Sequence, residues 1–357
     1  MAHTHPTKRA EADLLVKSRY PSLDKHSLSV QIIMVLLMSC LLSGVAARPV
    51  FADTPESKRY QTTISYTPLS YGPMLVQVRL SSSLTGTFLL DTGFSIACVT
   101  DALAAKMGLS PLPAVGTSGK PITFYPGKQS QRVTVPLMQL GNFRLFDSFC
   151  LVLNQKALSD IAGQPVDGVL DAGMLAIYPM CFDFARHEIT MFSPSPLTSA
   201  ELRSIGMEDA ARIPVTRMTG GGVSFSCPAA MSNGSERVQE SLLIDTGAVG
   251  TVLSEDTAQK LRLKPVSGNR NSPTLLGNIV VKQAYLADLS LGNLSVKNLL
   301  LRYSSGLSDS FPAHIGLDVL SQFRVLLDFK QQIMYLKPIA PAIPTTSAED
   351  TPKIKKP

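Results

Sequence analysis

Histidine is scarce in this chain. Five occur in 357 residues, and beyond residue 52 only His187 and His314 remain. His187-Glu188 has no second His four positions on, so the ligand spacing of a zinc hydrolase is missing. No Gly-x-Ser-x-Gly run is present, which excludes a serine nucleophile elbow. Gly220-Gly221-Gly222 lacks the Lys and Thr of a phosphate-binding loop and reads as a flexible loop. Tryptophan is absent, and charged residues make up only 17% of the chain. The net charge of +6 divides evenly between residues 1–52 and the remainder, with no basic stripe to track a nucleic acid. Lys353, Lys355 and Lys356 fall in a Pro-rich end and read as a solvated tail. No metal, other cofactor or nucleic-acid partner is expected.

Residues 1–52 read as an N-terminal leader. A polar stretch with Lys and Arg precedes an apolar run over 28–47, and Val50-Phe51-Ala52 before Asp53 fits the small-x-small pattern of signal cleavage. The run is also nearly long enough to span a bilayer, so a membrane anchor is the alternative. Leu37-Met38-Ser39-Cys40 resembles a lipoprotein acylation site, but the apolar run continues past Cys40. The expected location is therefore outside the cytoplasm, periplasmic or secreted, with membrane attachment through 28–47 as the other reading. Four cysteines remain: Cys98, Cys150, Cys181 and Cys227. In an oxidising compartment they permit disulfides in any of three pairings; buried thiols are the equal alternative.

The length suits two domains, and the chain reads as an internal repeat. Each half runs through the same four landmarks. Phe88-Leu89-Leu90-Asp91-Thr92-Gly93 matches Leu242-Leu243-Ile244-Asp245-Thr246-Gly247. A short helical pattern follows, over 101–109 and over 255–263. Gly-Asn turns come next, at Gly141-Asn142 and Gly292-Asn293, each between apolar runs. Last come terminal strand pairs, 169–175 leading to Asp183 and 315–320 leading to Asp328. The offset between halves stays near constant: 154 residues for the two Asp, 151 for the Gly, 145 for Asp183 and Asp328. Alternating patterns predict strands over 74–80, 132–140, 279–285, 299–303 and 333–336. The expectation is a mainly β chain with one short helix after each Asp-Thr-Gly. Its lobes span 60–195 and 205–337, with a break near Ser193-Pro194-Ser195-Pro196 and a Pro-rich disordered tail over 338–357. Thr219 to Gly222 and Ser232-Asn233-Gly234-Ser235 read as loop insertions in the second half.

Two carboxyls brought close together can hydrolyse a peptide bond without metal or covalent intermediate. Like charges a few ångströms apart do not both ionise easily, so the pair keeps one proton. The ionised member draws a proton from water and the protonated member donates to the carbonyl oxygen. Asp91 and Asp245 are the candidates. Each follows an apolar strand. Gly93 and Gly247 let the backbone turn tightly beside the carboxylate, and the Thr92 and Thr246 hydroxyls can bond the opposite loop and hold the halves in register. One Asp-Thr-Gly alone would read as a turn after a strand; two, each heading the same series, point to chemistry.

On these motifs, with Ser95 after the first and His314-Ile315-Gly316-Leu317-Asp318-Val319-Leu320 downstream of the second, the chain resembles the aspartic peptidases. Within them it is similar to bacterial exported proteins with two retropepsin-like units in one polypeptide. The resemblance covers roughly 65–337. It implies tandem retropepsin-like β-barrel lobes, each of a six-stranded type, in a bilobal acid-protease-like architecture with a substrate cleft between them. It also implies a later apolar-apolar-Gly element supporting each Asp loop, and a Ser after the motif bonding the outer oxygen of its Asp. The chain departs from that pattern. Asp171 stands where the supporting Gly belongs, so Val169-Leu170-Asp171 breaks the first element. Val249 replaces the second Ser, leaving Asp245 less well held. No clear flap is visible, with Tyr125 the candidate.

The expected function is a monomeric aspartic endopeptidase taking a peptide or protein substrate in the inter-lobe cleft. The alternative is a peptide-binding protein that kept the cleft and lost efficient catalysis; a β scaffold for assembly ranks behind both. His314 reads as a packed or surface turn residue and Cys98 as core. Asp167, Asp171 and Asp318 read as structural hydrogen-bonding groups near the cleft, and Asp183 and Asp328 as hairpin positions.

Overall fold

The computed structural model describes residues 60–339, except 70–71, 116–120, 122, 124–128, 194–195, 219–222, 275–276 and 309–311. The leader, Tyr125, the glycine run and most of the expected tail lie outside the described residues. So does the centre of the Pro-Ser break.

The chain is mainly β and two-lobed, built on three sheets. In the first lobe an eight-stranded sheet runs in the spatial order Thr67–Pro68, Met74–Arg79, Thr85–Leu90, Gly168–Leu170, Cys98–Thr100, Phe143–Leu153, Gln131–Leu140 and Leu112–Pro113. Arg79 pairs with Gln139 and curls the sheet back on itself. The second lobe repeats that order with Thr216–Arg217, Phe225–Asn233, Glu236–Ile244, His314–Ile315, Val252–Ser254, Leu294–Ser304, Gly277–Leu291 and Arg270–Thr274. There the closing pairs are Ala230 with Ser290, Met231 with Leu289 and Ser232 with Asp288. Each closed ring thus has the six strands expected, Met74–Arg79 round to Gln131–Leu140 and Phe225–Asn233 round to Gly277–Leu291, and a short strand extends each end of the sheet.

The third sheet belongs to both halves. Gln61–Ser65, Glu188–Phe192 and Met180–Asp183 come from the first; Phe323–Asp328, Ile333–Pro338 and Ala211–Pro214 come from the second. The halves meet where Met180 pairs with Leu327 and Phe182 with Val325. The Arg324 guanidinium crosses the same seam to the Asp183 carboxylate and to the Ile205 carbonyl. Asp183 and Asp328 sit where their strands turn into Glu188–Phe192 and Ile333–Pro338, the hairpin positions expected of them.

Local chemistry explains the elements. Along Met74–Arg79 the last four residues alternate buried and exposed, as one face of a half-buried strand requires. Phe88 and Leu90 are wholly buried on the core face of the next strand. Each such side chain contributes about 1.5–3 kcal/mol through area removed from water. The Thr100 hydroxyl accepts from the Leu103 N–H and starts helix Asp101–Lys106; Ser254 does the same for Glu255–Lys260 through Thr257. Gly141 and Gly292 adopt φ near +58° and +60° at the two Gly-Asn turns, a conformation that favours glycine.

Four helices were not anticipated. Gln155–Ala162 is the longest, begun by the Asn154 side chain and ended by left-handed Gly163. Ser199–Ser204 opens on a Thr198/Glu201 capping box. Ala172–Leu175 and Leu317–Leu320 each make a single turn. Ser232 to Ser235 forms no loop insertion: strands Phe225–Asn233 and Glu236–Ile244 pair right up to it, leaving a two-residue turn with Gly234 at φ +63°. The four cysteines are buried free thiols rather than disulfides.

Candidate active site

Each Asp-Thr-Gly follows the end of a strand held between antiparallel and parallel neighbours. Thr85–Leu90 pairs in parallel with Gly168–Leu170, and the Asp91 N–H donates to the Leu170 carbonyl at 3.0 Å. In the other lobe Glu236–Ile244 pairs in parallel with His314–Ile315, and the Asp245 N–H donates to Ile315 at 3.1 Å. Both carboxylates are then gripped by their own turns. Asp91 Oδ1 accepts the N–H groups of Gly93 and Phe94 at 2.8 and 3.1 Å. Asp245 Oδ1 accepts those of Gly247 and Ala248, both at 2.9 Å. Asp245 is therefore held as firmly as Asp91, contrary to the expectation drawn from Val249. Backbone donors do the holding, and among the described residues no hydrogen bond joins Ser95 to Asp91.

The two loops lock onto one another. The Thr92 N–H donates to Thr246 Oγ1 and the Thr246 N–H to Thr92 Oγ1, each at 3.0 Å. The hydroxyl protons go to the opposite strand ends: Thr92 Oγ1 to the Ile244 carbonyl at 2.7 Å, Thr246 Oγ1 to Leu90 at 3.2 Å. Both threonines are 1% exposed, so these four bonds form away from water. This is the register lock expected of them.

That lock carries Asp91 and Asp245 face to face, each carboxyl set against the other's turn. The glycines make the approach possible. A Cβ on Gly93 would overlap Asp245 Cγ, and a Cβ on Gly247 would overlap Asp91 Cγ. Each carboxyl packs over the other loop's glycine, so the requirement for glycine reaches across the lobes. Asp91 is half-buried and Asp245 is 9% exposed. Burial, with the Asp245 charge behind it, pushes the Asp91 carboxyl well above the usual carboxylate range. Burial likewise raises Asp245, to about 6. Two acids so placed retain a proton at mildly acidic pH.

The supporting elements differ between lobes. Gly316 begins helix Leu317–Leu320 without a side-chain cap, and a Cβ there would lie 2.7 Å from Gly250 C and 2.9 Å from Ala248 O. Asp171 occupies the corresponding place and does not break its element, as the sequence suggested it would. Strand Gly168–Leu170 forms, and the Asp171 carboxylate caps Ala172–Leu175 by accepting from Gly173 N–H at 3.2 Å and Met174 N–H at 3.1 Å. In the second lobe Asp318, two residues after Gly316, accepts from the Thr251 N–H at 2.8 Å and its hydroxyl at 2.8 Å. The first lobe has Ala97 and Gly173 at those places. Asp167 accepts from the Thr87 N–H at 2.8 Å, a structural bond as expected.

Two other residues also match their bland readings. His314 is 2% exposed, its Nδ1 3.1 Å from the Pro312 carbonyl, and burial lowers its pKa. Cys98 is wholly buried, and burial raises its thiol far from reactivity. The partnership of Asp318 with Thr251 was missed. Its only sequence signal was an Asp directly after a Gly-Leu helix start, which does not name a partner 67 residues upstream.

No curated protein matches the sequence. Among solved structures, a retropepsin-like aspartic protease from Rickettsia conorii shares 24% identity, over 36% of this chain and 100% of its own, with a TM-score of 0.28. Conglutin gamma, a basic 7S globulin of lupine seeds, shares 12% identity, over 79% of this chain and 96% of its own, with a TM-score of 0.48. A family model described as aspartyl protease matches residues 76–175 and 228–318, one segment around each Asp-Thr-Gly, and together these exceed half of the chain. The chain belongs to the aspartyl protease family.

Proposed function

We propose that the protein is an aspartic endopeptidase in which Asp91 and Asp245 share one proton and activate a water between the lobes. The observation that carries this is the facing pair of carboxyls, each gripped by two backbone N–H groups and packed over the other loop's glycine. In this reading Asp245 serves as the base and Asp91 holds the proton. Asp245 takes a proton from water as the oxygen attacks the peptide carbonyl carbon. Asp91 gives its proton to the carbonyl oxygen, forming a neutral gem-diol. Asp245 then returns a proton to the amide nitrogen as the C–N bond breaks, and Asp91 recovers one from the diol. Thr92, Gly93, Thr246 and Gly247 hold this geometry.

The substrate would be a peptide or unfolded protein lying between the lobes. A single chain supplies both acids, so a monomer suffices. The leader-like run over 28–47 supports action outside the cytoplasm. Purified protein should cleave an unfolded polypeptide at acidic pH and be blocked by a statine-type transition-state mimic. Asp91→Asn and Asp245→Asn should each abolish cleavage; activity surviving in either variant removes the pair from the mechanism.

A further inference from the structure

Asp171 is an acid beside the first dyad loop that the mechanism leaves unused. It is 6% exposed. The backbone on both sides of it is tied to the first dyad loop: the Leu170 carbonyl accepts from the Asp91 N–H at 3.0 Å, and the Ala172 N–H donates to the Phe94 carbonyl at 2.8 Å. Its lobe-two counterpart is Gly316, which carries no charge and needs no side chain to begin its helix. The second lobe's own buried acid, Asp318, lies two residues past Gly316, bound to the Thr251 N–H and hydroxyl with the Arg302 charge nearby, whereas the first lobe sets its carboxyl at the helix start itself, beside the catalytic loop. A cap alone would not call for an acid, since Asn or Ser caps as well.

We propose that Asp171 is a positioning residue for the dyad: its buried negative charge, behind the Asp91 loop, keeps the shared proton on the Asp91 side and retains it toward neutral pH. The inference rests on the peptidase reading above. A nearby anion disfavours loss of a proton from the pair, so it raises the pH at which the dyad loses its last one. Two backbone N–H groups support the Asp171 charge, but the side chains facing it supply no cation to cancel it. Asp91 is acidic, and the Cys98 and Cys150 thiols are kept neutral by burial. Among the described residues no cation pairs with it. Burial raises Asp171 itself to about 6, so its charge is present where the upper limb of activity would fall.

The test compares the full protein with Asp171→Asn, which keeps the cap and removes the charge. In normalised pH profiles of kcat/KM, the variant should lose activity earlier on the alkaline side, by about one pH unit. One unit corresponds to charges roughly 12 Å apart at an effective dielectric of about 20, and a closer pair gives a larger shift. A second readout needs no turnover: with carboxyl-labelled aspartate, the higher dyad titration followed by NMR should fall by a similar amount. If Asp171→Asn does not fold, Asp171→Gly, which copies Gly316, replaces it. An upper titration that does not move overturns the role of Asp171. Absence of cleavage in the parent protein would instead overturn the peptidase reading, with the NMR titration still deciding the position of the proton.

Discussion

Thr92 and Thr246 are reciprocal partners: each backbone N–H donates to the other's hydroxyl at 3.0 Å, across the seam between the lobes. Each hydroxyl then donates to the strand end just before the opposite aspartate. The aspartates meet because the threonines do.

Thr92→Val removes an acceptor for the Thr246 N–H and a donor to the Ile244 carbonyl, and leaves both buried without partners. We expect a loss of about 2–4 kcal/mol in urea unfolding, since an unsatisfied buried group costs about 1–3 kcal/mol. Thr246→Val should cost a similar amount. The double variant should lose less than the sum, because the pair acts as one network.

Gly93→Ala and Gly247→Ala place a methyl where the opposite carboxyl sits. Neither carboxyl can retreat without surrendering its two backbone N–H bonds. Overpacking of this kind costs about 1–3 kcal/mol, and the separation of the acids should cost activity disproportionately. Thermal unfolding and kcat on one peptide substrate would read the two effects separately.

Replacing either dyad acid by Asn leaves a single carboxyl in the site while keeping its shape, and so relieves the mutual destabilisation that raises both acids. Stability near neutral pH should rise in Asp91→Asn and in Asp245→Asn while cleavage vanishes. Parent and variants unfolding at the same temperature at pH 7 would contradict the mutual repulsion inferred from their burial and contact.

Asp171 has a further consequence for stability. Its folded pKa, about 6, lies above the unfolded value near 3.9, so the folded state binds its proton more tightly. The resulting contribution is complete below about pH 4 and declines as pH rises through about 6, by on the order of 3 kcal/mol. Burial raises Asp318 and Asp328 in the same direction. Denaturant unfolding between pH 4 and 7 should show declining stability, with a shallower decline in Asp171→Asn.

Much of the site was legible because its chemistry is local. Asp-Thr-Gly after an apolar strand places an acid, a hydroxyl and an open backbone position within three residues, and the recurrence of the series implied a pair. Short helices were legible where apolar spacing marked them. Gln155–Ala162 was overlooked although Asn154 and Gly163 bracket it, because its weakly apolar run resembles a loop. The consequence of Asp171 could not be read from its position alone. Its carboxylate accepts from the helix it begins, a contact that alignment to Gly316 conceals.

By itself the sequence determined the two motifs, their order, the strands before them and the hairpin turns, because these follow from side-chain size, backbone freedom and periodicity over a few residues. Tertiary structure alone decided which atoms grip which. It put Gly93 under Asp245 rather than Asp91, and tied the halves through Met180–Asp183 and Phe323–Asp328. Those contacts join residues some 150 positions apart, and at that separation only the closed fold specifies distance.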